Sequence, residues 1–97
     1  MRQLVLDLPD HTEATLVLSA LDAYKARLRL SIAACKETLA EFEGKYRMST
    51  DRFLRQMAAE DLEGGDTEYV EWAGEAKILS RLETELLGLE GIRCELP

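Results

Sequence analysis

Residues 10–43 contain neither glycine nor proline, and through them runs one apolar stripe. Ala14, Val17, Leu21, Tyr24, Leu28, Ile32, Cys35, Leu39 and Phe42 follow one another by threes and fours. That spacing keeps all of them on one face of an α-helix. A helix of roughly 30 residues would be ~45 Å long at 1.5 Å per residue. Such a rod in so short a chain either pairs along its length or breaks somewhere inside the run. Leu16, Leu18 and Leu30 lie off the stripe, so more than one face can be covered.

The flanks of this run supply the other elements. Residues 3–8, Gln-Leu-Val-Leu-Asp-Leu, alternate, with Leu4, Leu6 and Leu8 on one face and Gln3, Val5 and Asp7 on the other. That is the period of a half-buried strand, which Pro9 ends for want of an N–H. No second strand is evident, so the expected partner is another copy of the chain or another protein. Asp10 or Thr12 is placed to cap the long helix, with Glu13 in its first turn. Gly44 reads as its stop. Ser49 and Asp51 then open a short helix from about residue 50 to 62, carrying Phe53, Leu54 and Met57 inward. Gly64-Gly65 breaks it. Tyr69, Trp72 or Ala73, Ala76, Leu79, Leu82, Leu86 and Leu89 predict a third helix to about residue 87. The expected fold is therefore mainly α, a short N-terminal strand, a long helix and two further helices, in a homodimer. Ninety-seven residues suit one domain, with residues 1–43 dimerising and 44–97 forming an acidic helical partner-binding part.

Charge is divided unevenly. Residues 1–36 hold five basic and four acidic side chains, and residues 37–97 hold seven basic and fifteen acidic, so the halves carry +1 and −8. The acidic half repels nucleic acid and favours a basic partner. The two cysteines, Cys35 and Cys94, lack metal-ligand spacing and suggest no secreted disulfide framework. No signal peptide and no run of ~20 apolar residues is visible, which makes the cytoplasm the expected address and a membrane no partner.

Catalytic constellations are missing from the pattern. His11 is the single histidine and sits at a helix cap, without convergent partners for general-base or metal chemistry. Cys35 lies on the apolar stripe as a small core residue. The carboxylate rows Glu68, Glu71, Glu75 and Glu37, Glu41 share faces, but no Glu-x-x-His spacing accompanies them. Solvated faces explain them better. Lys25, Arg27, Arg29 and Lys36 spread around the helix and make a weak phosphate signal. No enzyme activity, cofactor or metal is expected. Rings beside acids in Asp66-Thr67-Glu68-Tyr69-Val70-Glu71-Trp72 suit an interface for a basic partner, and a plain core role for Trp72 is at least as natural.

Two segments carry resemblances. Leu4-Val5-Leu6-Asp7-Leu8-Pro9-Asp10, leading into a helix, is similar to the opening of ribbon-helix-helix proteins, whose strand pairs antiparallel with that of a second chain and enters the DNA major groove. That resemblance implies Gln3 and Val5 as DNA-reading residues and Leu4, Leu6 and Leu8 in a dimer core. The helix residues Val17, Leu21, Tyr24 and Leu28 would join that core. Phe42-Glu43-Gly44-Lys45-Tyr46-Arg47-Met48-Ser49, with the acidic run into Trp72, resembles antitoxin-like partners of toxins of the TumE family, which carry a similar Phe-x-x-Lys-Tyr-x-Met-Ser stretch. It implies a non-catalytic protein that binds and masks a basic toxin, with Phe53, Met57, Tyr69 and Trp72 as the partner-binding residues. The alternatives are a DNA-binding autorepressor and a helical oligomeric assembly module. Asp7 on the reading face and the net charge of −7 rank protein binding ahead of DNA binding.

Overall fold

A computed structural model describes residues 4–7, 11–57 and 67–95. The order is β1 (Leu4–Asp7), α1 (His11–Tyr46), α2 (Thr50–Gln56), α3 (Thr67–Glu90) and β2 (Ile92–Glu95). The protein is mainly α, as the periodicities require. The chain divides into two compact units, residues 1–31 with 82–97 and residues 32–81.

In the first unit β1 and β2 form a two-stranded parallel sheet in the register Leu4–Ile92, Val5–Arg93, Leu6–Cys94, Asp7–Glu95. This corrects the expectation that β1 finds its partner only in a second molecule. A parallel pair needs a long connection, and among the described residues that connection carries α1, α2 and α3. The alternation in β1 is as expected, with Val5 and Asp7 exposed and Leu6 half-buried. Gln3 and Leu8 lie outside the described residues. From α1, Ala14 and Leu28 are buried and Val17 and Leu21 half-buried, and from α3, Leu82, Leu86 and Leu89 are half-buried. The Tyr24 hydroxyl donates to the Glu85 carboxylate at 2.5 Å, and Arg29 meets Glu90 at 3.5 Å. Of the helix residues assigned in sequence to pairing between copies, Leu28 is buried within one chain, Val17 and Leu21 are half-buried and Tyr24 is exposed.

The second unit is organised around aromatic rings. α1 does not stop at Gly44 but continues to Tyr46. The reversal falls on Arg47, which adopts a left-handed conformation with φ of 53°. The Met48 N–H then donates to the Glu43 carbonyl at 3.2 Å, the six-to-one bond of a Schellman cap. Glycine was the expected residue at this position, yet the ring contacts decide otherwise. Phe42 and Tyr46, four residues apart, both stack on Trp72, with centroids at 5.6 and 5.5 Å. They share a face only if the helix runs through both.

Two residues later Ser49 caps α2, its hydroxyl accepting from the Arg52 N–H at 3.1 Å. The Glu43 carboxylate accepts from the Thr50 N–H at 2.6 Å. Two of the four N–H groups that a helix start leaves without intrahelical partners are thereby satisfied. Seven residues cannot hold a helix in isolation. α2 is held by these caps and by Phe53, its buried residue. It ends at Gln56, short of the residue 62 expected. Helix α3 runs three residues past the expected end, through Gly88, where nothing lies within 4 Å of an added Cβ. Asp66, the expected cap of α3, and Asp10 lie outside the described residues, and Thr12 is already inside α1.

Candidate functional site

The core of the second unit comprises Leu39, Phe53 and Trp72, with Phe42, Tyr46, Met48, Met57, Tyr69, Ala73, Ala76 and Leu79 packed against it. Phe53 and Trp72 are only 3% and 1% exposed, and their rings stack with centroids 3.9 Å apart and planes 2° from parallel. Tyr69 meets Tyr46 edge-on at 5.5 Å and Phe53 in a tilted contact at 5.6 Å. Five of the chain's six aromatic residues stand in this cluster. Each ring pair contributes about 0.5–1.5 kcal/mol beyond its area. The indole N–H of Trp72 donates to Thr50 Oγ1 at 2.9 Å, so its one polar atom is satisfied.

Against this core lies a half-open groove of about 360 Å³, lined by Tyr46, Met48, Phe53, Gln56, Met57, Tyr69 and Trp72. All four residues assigned to partner binding, Phe53, Met57, Tyr69 and Trp72, are brought together here. Their roles differ. Phe53 and Trp72 form the buried floor, while the half-buried Met57 and Tyr69 offer surface. Tyr46, Met48 and Gln56 complete the wall and were not singled out for binding. Tyr46 and Met48 stand inside the Phe-x-x-Lys-Tyr-x-Met-Ser stretch, and Gln56 lies one turn after Phe53, so a helical wheel of α2 could have found it.

The charges around this core have definite partners. Lys45 Nζ lies 2.6 and 2.7 Å from the two oxygens of Glu68. The Lys45 hydrogen bond holds the Glu68 carboxyl below its usual range; desolvation opposes it, and Tyr46 and the Lys45 charge add lesser lowering effects. The Glu75 carboxylate lies near the Cys35 thiol. Burial first, and this carboxylate second, push the thiol pKa up. A raised thiol pKa disfavours the nucleophilic thiolate at neutral pH. The row Glu68, Glu71, Glu75 is therefore dispersed: Glu68 is held by Lys45, Glu75 lies near Cys35 and Glu71 is exposed. Among the described residues no cluster of three His, Cys, Asp or Glu side chains could hold a metal ion. On α2, Arg52 and Arg55 are exposed, and Arg52 stands one turn before Gln56.

Val5, the one described residue of the DNA-reading pair, is 43% exposed on β1. It belongs to a parallel strand pair within one chain, not to an antiparallel ribbon between two. Among the described residues no helix is long and apolar enough to cross a membrane. Comparison with known proteins finds no matching family model, no matching curated protein and no matching solved structure.

Proposed function

We propose that this chain is a non-catalytic cytoplasmic binding protein, an antitoxin-like component that holds and masks a basic partner protein encoded beside it. The observation that carries the reading is the groove. It has a rigid aromatic floor, two half-buried apolar walls in Met57 and Tyr69, and one amide, Gln56, to orient what enters. Preformed pockets of this kind receive the large anchor side chains that dominate protein interfaces. The acidic balance of residues 37–97 supports a basic partner. Masking of this sort is steric and electrostatic and needs no chemistry from the chain.

Co-expression with the genomic neighbour, followed by pull-down, tests the reading. Phe53 and Trp72 are unsuitable probes because their loss breaks the core. Gln56→Arg and Met57→Arg instead fill or charge the groove from its wall, and Tyr69→Ala removes an aromatic edge. A complex that weakens at least ~30-fold in Kd on Tyr69→Ala, about 2 kcal/mol, marks an interface hot spot. A complex that withstands all three substitutions, with folding intact by circular dichroism, sinks the proposal.

A further inference from the structure

The parallel sheet of the first unit has two strands, so among the described residues each keeps one edge without a strand beside it. Backbone N–H and C=O groups along such an edge are a template for a further strand. Two strands of four residues are also marginal on their own. The order of residues in β2 bears on what its edge can take. Strand alternation places Ile92 and Cys94 on one face and Arg93 and Glu95 on the other. In the register with β1, Ile92 and Cys94 stand beside Leu4 and Leu6, while Arg93 and Glu95 stand beside the exposed Val5 and Asp7. Glu95 thus has a like charge as its cross-strand neighbour, and Arg93 has an apolar one. Strands lie ~4.8 Å apart, and like charges set opposite each other at that spacing are unfavourable. Across β1 neither charge of β2 meets its opposite.

We propose that the free edge of β2 pairs antiparallel with the same edge of a second copy, about a two-fold axis at Cys94, to give a four-stranded sheet in the order β1-β2-β2-β1. Parity and charge together select that axis. Residues directly opposite in an antiparallel pair share a face, and a slip of one residue sets apolar positions against charged ones. Axes that keep the two faces matched pass through a residue. At Ile92 or Glu95 the strands overlap by a single residue. At Arg93 the axis sets arginine against arginine. At Cys94 it sets Arg93 of each copy against Glu95 of the other, and Cys94 against its counterpart.

Charge complementarity favours a second copy on this edge. Glu95 gains a cation on the side away from Asp7, and the same contact is made twice by symmetry. A parallel pairing in register would place arginine beside arginine and glutamate beside glutamate. β1 offers no equivalent edge, because Asp7 is the single charged residue of Leu4–Asp7 and has no opposite charge there to meet. An edge guarded against pairing carries charges that repel their like. β2 carries one of each sign, two positions apart, a spacing that a two-fold axis between them turns into attraction. The overlap is short, which defines a weak, reversible dimer.

Sedimentation of the full chain across about 1–300 µM is expected to show reversible dimerisation in the upper part of that range. Glu95→Arg is the deciding variant. It sets an opposite charge beside Asp7 and so favours the strand pair within the chain, yet it faces Arg93 of the second copy. Dimerisation should weaken about 10-fold with helix content unchanged, where a role confined to one chain predicts no loss. Arg93→Glu should weaken it likewise, and an equimolar mixture of the two variants should restore association as a mixed dimer. Diamide, which takes two protons and two electrons from a pair of thiols, reads the axis. Directly opposite residues have Cα atoms ~4.5–5.5 Å apart, within disulfide reach. The oxidised chain should run as a dimer through Cys94, return to monomer with dithiothreitol, and fail to link in Cys94→Ser, which keeps the buried Cys35. A monomer at every concentration, a dimer indifferent to Glu95→Arg, or a dimer that diamide does not link through Cys94 would each overturn the proposal.

Discussion

Arg47 occupies a backbone conformation that an L side chain adopts at a cost, and replacing it with glycine tests the account of how α1 ends. With φ at 53°, the residue lies where the Cβ crowds the following carbonyl, a penalty of about 1–2 kcal/mol. Arg47→Gly removes that penalty. Against this, glycine has more backbone freedom to lose on folding, which returns about 0.4–1 kcal/mol. The Arg47 side chain is exposed and has no ion pair among the described residues, so nothing further is lost. The net expectation is a gain of about 0.5–1 kcal/mol, or a rise of roughly 2–8 °C in Tm for a domain of this size. Gly44→Ala supplies the contrast. Gly44 is inside the helix and nothing lies within 4 Å of the added Cβ, so alanine should stabilise by about 0.5–1 kcal/mol. If Gly44 were instead the left-handed stop that the sequence suggests, alanine there would destabilise by a similar amount. The assay is thermal and urea unfolding followed by circular dichroism, at one protein concentration because self-association would shift both midpoints. An unchanged or lowered midpoint in Arg47→Gly refutes the Schellman cap at Arg47, and a lowered one in Gly44→Ala refutes the continuation of α1.

Thr50→Val keeps the shape of the side chain but removes the acceptor for the Trp72 indole, leaving a buried donor unpaired. Urea unfolding should record a loss of about 1–3 kcal/mol, and Thr50→Ser, which restores the hydroxyl, should recover most of it. Phe53→Ala opens the stack against Trp72 and should cost about 3–5 kcal/mol, whereas the adjacent Leu54→Ala, at an exposed position, should fall within about 0.5 kcal/mol. Equal effects at the two positions would contradict the inward orientation of α2. Glu68 supplies the pH dependence. Because its folded pKa is depressed by Lys45, its stabilisation is present above the ordinary carboxylate value of about 4.3 and is lost as pH falls through the lower folded value. Glu68→Gln should flatten that part of the acid limb in a pH series of unfolding midpoints, and an unaltered limb would count against the ion pair.

What could be read from the sequence was what repeats. The stripe in α1 was visible because nine positions agree on one period, and burial follows it through Ala14, Leu28, Ile32, Cys35 and Leu39. The α3 stripe was visible for the same reason. The four residues of β2 were not, because Ile-Arg-Cys-Glu is too short for alternation to stand above chance, and its pairing depends on residues 88 positions away. Gly91 before it and Pro97 after it were the available hints. The end of α1 was misread because glycine is the usual residue for a helix stop. The residues that override it, Phe42 and Tyr46, act through Trp72, a contact invisible to local pattern. The groove was half legible: its aromatic members were found, but their division into floor and wall is a matter of packing.

The Phe-x-x-Lys-Tyr-x-Met-Ser stretch gains a physical meaning that differs from a binding signature. Phe42 and Tyr46 stack on Trp72, Lys45 holds Glu68, Met48 closes the cap behind Arg47, and Ser49 starts α2. Every named position of the stretch is used in turning the chain and building the ring cluster. A segment with such duties can resemble another protein's segment because both make the same turn, whatever each binds. Only Tyr46 and Met48 also reach the groove wall. The resemblance therefore bears on the scaffold first, and under the proposed function partner choice falls to Gln56, Met57 and Tyr69 on the groove wall. Substitutions there should alter which partner is held while leaving the helical turn intact, whereas substitutions at Phe42 or Ser49 should weaken the fold before they reveal anything about recognition.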